Sequence, residues 1–224
     1  MEDQVSWKWN KNGRYDTKSM YDHLTVGDSG LSHKFIWKAR LPYKVKIFLW
    51  LIENEALLTK DNLLRRKWAG DPRCYFCQEN ETINHLLFTC PVAKAVWATV
   101  AKGLGANSIP RNMSQYKSWI NNVLPGGDKV YALGVAAICW AIWKNRNKAC
   151  FDHKLIKHPT EIIMTTCSFM NYWAGLYSTE MRRLIQDGVS VLVTCAQRMM
   201  ASQPRRTVYM LPGPQDGEQE EDST

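Results

Sequence analysis

The sequence predicts a mainly α fold, and three observations carry that expectation. Apolar residues recur at helical spacing through most of the chain, as in Val45, Phe48, Leu49 and Ile52. Pro, Gly and Asp cluster between those runs and punctuate them. The one interruption of another kind is Cys74–Cys90, where three Cys and a His stand at C-x2-C-x7-H-x4-C.

Taken in order, Val5, Trp7 and Trp9 alternate, which predicts a short N-terminal strand or extended arm over residues 5–15. Asp16 or Thr17 can cap a helix running through Leu24. Pro42 stands where a helix can begin, ahead of the Val45–Ile52 stripe. Thr59 then caps a short helix, Lys60–Lys67, with Leu63 and Leu64 inward. Gly70-Asp71-Pro72 breaks the chain before the cysteine segment. Pro91 opens a helix, Val92–Leu104, with Val96, Trp97 and Val100 on one side. Ser114–Val123 is a further short helix. Lys129–Phe151 is apolar nearly all round in its first half, which marks a central helix, and turns basic at Lys144, Arg146 and Lys148. A long helix starts at Pro159-Thr160, with Asp187-Gly188 as its interruption; Val189–Thr194 fits strand or helix. From Gln203 the chain is Pro, Gly, Gln and acid, the composition of a disordered tail.

With 224 residues and 45% hydrophobic content, the chain can build a real core. Its net charge is +8; setting aside the two bases and five acids of residues 203–224 leaves a body at +11. A basic body favours anionic partners, nucleic acid first. The N-terminus lacks an apolar signal core, and the longest apolar run, Val130–Trp143, is too short to span a bilayer comfortably. The expectation is an intracellular protein, nuclear or cytoplasmic, with no membrane role. Seven Cys is an odd number, which fits free thiols and a metal site better than a disulfide framework.

The metal site is the strongest chemical signal. Cys74 and Cys77 can hold one ion from a tight knuckle, and His85 and Cys90 can reach it from a helix and its end. Three sulfurs and an imidazole make a closed tetrahedral set, the usual arrangement of structural Zn2+, and thiolates favour zinc over magnesium or calcium. No position stays open for substrate water. Cys139, Cys150, Cys167 and Cys195 lie on apolar segments and read as buried free thiols.

The motifs around this site resemble the zinc-binding domain found downstream of reverse transcriptase in plant non-LTR retroelements of the LINE type. They are G-x-Y-x-x-K-S-x-Y at Gly13–Tyr21, W-K-x-x-x-P-x-K-V-K-x-F-L-W at Trp37–Trp50, and L-x-T-x-x-x-L at Leu57–Leu63. C-x-x-C, E-T-x-x-H-L, C-P and V-W follow over Cys74–Trp97. W-x-I-W-K-x-R-N with a later Phe, at Trp140–Phe151, resembles the segment that follows the domain in such elements. The resemblance, which covers roughly residues 5–100, implies a zinc-binding domain, taken as residues 1–104; with the helical periodicity and the tail composition it divides the rest into a helical region packed on that domain over 105–202 and a disordered acidic tail over 203–224. It also implies an isolated or domesticated fragment. The chain shows no paired Asp in a strand-turn-strand setting, no acidic quartet and no nucleophile motif, so the expectation is a protein that is not an enzyme.

RNA or DNA is the expected partner. Candidate contacts are Lys38, Arg40, Lys44 and Lys46, near Trp37 and Tyr43, with Arg65 and Arg66 ahead of the knuckle. Lys144, Arg146 and Lys148 near Trp143 form a second cluster. Basic groups at helix ends also complement the helix dipole, so a solvated helix end is the competing reading of each. Trp37, Trp97, Trp140, Trp143 and Trp173 are expected in the core. Phe76, between two metal ligands, either stacks on a base or covers the metal site. The rival function is a protein-protein interaction module with no nucleic-acid role.

Overall fold

The computed structural model describes residues 6–8, 10, 12–17, 19, 20, 36–124 and 130–202. Among the described residues its complete α-helices are α1 (Tyr43–Glu53), α2 (Lys60–Arg65), α3 (Pro91–Gly103), α4 (Met113–Val123), α5 (Tyr131–Phe151), α6 (Thr160–Ala174) and α7 (Thr179–Ser202). A π-helical turn, His85–Thr89, leads into α3. Among the described residues there is no strand, only an isolated antiparallel bridge between Arg73 and Asn80. The fold is therefore mainly α, as the periodicity predicts. The described part of residues 5–15 is turn and coil, pinned where the Trp7 indole N–H donates to Ser19 Oγ at 2.8 Å. Asp16 does cap: its Oδ1 accepts the Ser19 N–H at 2.8 Å. The predicted helix through Leu24 and the acidic tail 203–224 fall largely or wholly outside the described residues.

The central helix is α5. Leu133, Val135–Cys139, Ala141 and Ile142 are all buried, so it is wrapped on several sides. Helix α6 packs on α5 and runs along α7, α1 rests on α5, and α7 also touches α3. An aromatic cluster ties the metal-site half to the rest. Trp97 stacks on Phe88 with centroids 5.4 Å apart and planes 6° apart, and meets Tyr116 at 5.4 Å. The Trp97 indole N–H donates to the Leu87 carbonyl at 2.8 Å, which satisfies its buried donor. Tyr116 reaches α5 because residue 134 is glycine: a Cβ there would lie 2.7 Å from the Tyr116 hydroxyl oxygen.

Three expectations are corrected. Helix α2 does not bury Leu63 and Leu64; Leu64 is exposed, Leu63 half-buried, and the buried side is Lys60 and Asn62. Asn62 earns that place by donating to the Glu55 and Leu57 carbonyls at 2.7 and 2.8 Å. Thr59 precedes α2 but makes no side-chain cap; a distant carboxylate does that work, as described below. The long C-terminal helix is interrupted at Gly175–Ser178, not at Asp187-Gly188. Gly188 lies inside α7, and Val189–Thr194 is helical. A mid-helix glycine costs about 1 kcal/mol, and the buried row Ile185, Val189, Leu192 and Ala196 outweighs it.

Candidate metal centre

The four predicted ligands meet. The sulfurs of Cys74, Cys77 and Cys90 and a ring nitrogen of His85 all lie within 4.8 Å of one another, and three of the four residues are buried. Cys77 Sγ is 3.2 Å from His85 Nε2 and 3.9 Å from Cys90 Sγ. A tetrahedral zinc with metal–sulfur bonds of about 2.3 Å separates its sulfurs by about 3.8 Å, and a sulfur from an imidazole nitrogen by somewhat less. The spacing and the donor set both fit zinc.

Each ligand is placed by its own backbone. The Cys74 N–H donates to the Glu79 carbonyl at 2.8 Å, closing the 73–80 turn beside the Arg73–Asn80 bridge. Inside it the Phe76 N–H points at Cys74 Sγ, 3.4 Å away, a bond that stabilises a thiolate. On the other side, Thr82 Oγ1 accepts the His85 N–H at 3.1 Å and starts the helical turn. The π geometry then solves a spacing problem. In an α-helix, residues five apart point about 140° away from each other. Here the Cys90 N–H bonds the His85 carbonyl at 2.7 Å, an i to i+5 link that lets both side chains face one ion.

His85 has a partner on its far side: Nδ1 lies 3.1 Å from Glu79 Oε2. The carboxylate holds the proton on Nδ1 and leaves the Nε2 lone pair facing the sulfurs. Without metal the thiols resist ionisation. The hydrogen bond with Cys90, then burial, pushes Cys74 far up, and burial raises Cys77. Cys74, and less so Glu79, raises His85 against the opposing effect of burial. Zinc must displace those protons, so its affinity rises with pH. Glu79→Gln is expected to weaken zinc binding about 10- to 100-fold, read by competition with a chromophoric chelator, with little change in helical content.

A second set of side chains locks the knuckle to α5. Glu81, fully buried, receives Arg146 Nη2 at 2.6 Å and Arg146 Nε at 3.1 and 3.2 Å. Its Oε1 also accepts the Lys60 N–H at 3.1 Å, which supplies the N-terminal cap of α2. The Lys60 ammonium donates to the Arg73 carbonyl and lies 4.0 Å from the centre of the Tyr75 ring. Burial lowers the Lys60 pKa, while Glu81 opposes that. Arg146 is therefore no surface phosphate contact, contrary to its place in the predicted second basic cluster. It is 3% exposed, whereas its neighbours Lys144 and Lys148 are exposed.

The other candidate contacts separate into groups. Lys38, Arg40 and Lys44 are exposed around the start of α1, and Lys46 there donates to the Trp37 carbonyl at 2.9 Å. Arg40 Nη1 reaches the Leu176 carbonyl at 3.3 Å. Arg65 and Arg66 are exposed at the end of α2; Arg65 donates to Asn62 Oδ1 at 3.2 Å and borders a cleft that also contains Glu53, Glu55 and Asp61. Phe76 is half-buried against the core, in a small cleft with Val92, Ile156 and Pro159. Of the five tryptophans expected inside, Trp97 and Trp173 are buried and Trp140 and Trp143 pack half-buried on the core. Trp37 differs, at 41% exposed. Cys139 and Cys167 are buried free thiols; Cys150 and Cys195 are half-buried. Sequence reasoning missed the roles of Glu79, Glu81 and Lys60. Glu81 stood in view as the first residue of E-T-x-x-H-L, but nothing local tied it to Arg146.

Comparison with known proteins agrees with this geometry. Residues 15–97 match the family described as zinc-binding in reverse transcriptase. A putative ribonuclease H protein of Arabidopsis thaliana is 34% identical over 104 residues, which is 44% of this chain and 17% of that protein. The chain thus spans about a sixth of the length of that relative. No solved structure matches. Among the described residues, no helix is long and apolar enough to cross a membrane.

Proposed function

We propose that this chain, whose residues 15–97 carry the reverse-transcriptase type of zinc-binding segment, is a zinc-stabilised nucleic-acid-binding protein of retroelement derivation. The zinc is structural: three thiolates and an imidazole complete its shell and leave no site for substrate. It fixes the turn 73–90, and through Glu81 it fixes the approach of α2 and α5. The observation that carries the binding role is the exposed cationic group Lys38, Arg40 and Lys44, on a body whose charge is +11 without residues 203–224. Lys46 beside it, and Arg65 and Arg66 on α2, extend the reading. This reading assigns the chain a binding role and no catalytic one.

The test is equilibrium binding of labelled RNA and DNA oligonucleotides at several salt concentrations. Each phosphate contact releases counterions, so log affinity falls against log salt with a slope of about 0.7 to 0.9 per contact. Lys38→Ala, Arg40→Ala or Lys44→Ala is expected to weaken binding alike for many sequences and to reduce that slope by about one unit. No binding of zinc-loaded protein at low salt sinks the reading. A protein-interaction module is then the better account. One observation favours it: an apolar cleft of about 430 Å³ between α3, α4, α5 and α7, bordered by Trp119, Met181 and Leu184.

A further inference from the structure

Several aromatic rings are exposed among the described residues, Trp68, Phe151 and Tyr172 included, but Trp37 and Tyr43 are exposed as a pair in mutual contact. Trp37 is 41% exposed and Tyr43 70% exposed, with ring centroids 6.1 Å apart and planes tilted by 42°. They sit within the cationic segment: Lys38, Arg40 and Lys44 are all exposed beside them. The support beneath the pair is fixed. The Lys46 ammonium holds the Trp37 carbonyl against α1 at 2.9 Å, and Tyr43 is the first residue of that helix. Val45 and Ile36, next to the rings in sequence, are fully buried and anchor both ends of the segment.

We infer that Trp37 and Tyr43 form a stacking platform for the unpaired bases of single-stranded nucleic acid, with Lys38, Arg40 and Lys44 on its phosphates. The inference rests on the nucleic-acid reading above and makes it specific. A base face is attracted to an aromatic face whatever its sequence, but in a duplex those faces are already occupied by neighbouring base pairs. Cations alone would hold duplex and single strand alike; cations interleaved with exposed rings favour the strand whose bases are free. The 42° tilt is too open for the two rings to sandwich one base, so each offers its own surface to successive bases. Phe76, the aromatic that sequence alone singles out, is turned into the core and does not share this platform.

The experiment uses the full zinc-loaded chain and fluorescence anisotropy with labelled oligonucleotides of one length: single-stranded RNA, single-stranded DNA, and the matching duplexes. Single strands are expected to bind more tightly than duplexes. Tyr43→Ala and Trp37→Ala should each weaken single-strand binding about 5- to 150-fold. The salt slope should hold, duplex binding should barely change, and Trp37→Phe should retain most of the affinity. Tyr43 is the safer probe because its ring lies largely in solvent, so its loss leaves folding intact. If the alanine variants bind single strands as well as the parent does, or lose single strand and duplex equally, stacking is refuted while nucleic-acid binding stands. If the parent protein binds no oligonucleotide, both readings fall together.

Discussion

Cys74→Ser is expected to abolish zinc retention and to unfold the segment around residues 72–97, with loss of most of the protein's thermal stability. The same collapse should follow from a strong chelator added to the parent protein. Structural zinc contributes folding free energy directly, with apparent values of about 10–16 kcal/mol in small zinc-stapled units at neutral pH. A whole domain is held by only about 5–15 kcal/mol. The segment has little else of its own: one isolated bridge, a short turn, and a π-helical turn whose geometry aims His85 and Cys90 at one ion. What it positions is large, because Leu86, Leu87 and Phe88 of that turn are fully or almost fully buried, and Phe88 stacks on Trp97. Circular dichroism melts with and without chelator read the effect. Acid should act in the same direction, since protons compete with zinc for thiols whose pKa values are raised in the metal-free chain. A variant that melts at the parent temperature would show the zinc to be dispensable.

Arg146→Ala is expected to destabilise the fold by about 3–5 kcal/mol, the range seen when one partner of a buried ion pair is removed. The penalty comes from Glu81, which has no access to solvent and, among the described residues, would keep the Lys60 N–H as its hydrogen-bond donor, with the Lys60 ammonium as a weaker charge partner. Replacing both members tests the cause. Glu81→Gln with Arg146→Met removes both charges and should recover a large part of the loss. If the single and double variants are equally unstable in urea, packing by the arginine stem, and not the orphaned carboxylate, is responsible. Arg146→Ala should also weaken zinc retention, because Glu81 stands four residues ahead of His85 and its carbonyl accepts the Asp61 N–H at 3.2 Å.

The parts of this fold that are local in sequence are legible there. Pro42 and Pro91 stand immediately before or at the first residue of α1 and α3, and the even apolarity of residues 130–143 does mark the central helix. The four metal ligands follow from spacing alone, since their chemistry is written within seventeen residues. The backbone device that aims them is not legible, because x4 spacing between His85 and Cys90 says nothing about a π turn. The Glu81–Arg146 pair joins residues 65 apart in sequence, and no periodicity reports such a contact. Composition even misdirects, since an arginine between two lysines at residues 144–148 looks like part of a basic surface. The Gly188 expectation erred for a related reason. Helix propensity is a weak local preference, and the buried row of α7 overrides it. Trp37 and Trp97 read alike as hydrophobic residues; only the packing separates a core indole from an exposed one.

This helical fold is built on one zinc ion held by Cys74, Cys77, His85 and Cys90. Native mass spectrometry of the purified full chain tests it most directly. A dominant species carrying one zinc per chain is expected, shifting on acidification to the metal-free mass together with the broad, high charge states of an unfolded polypeptide. A compact, low-charge species at the metal-free mass, from protein purified without chelator, would contradict it.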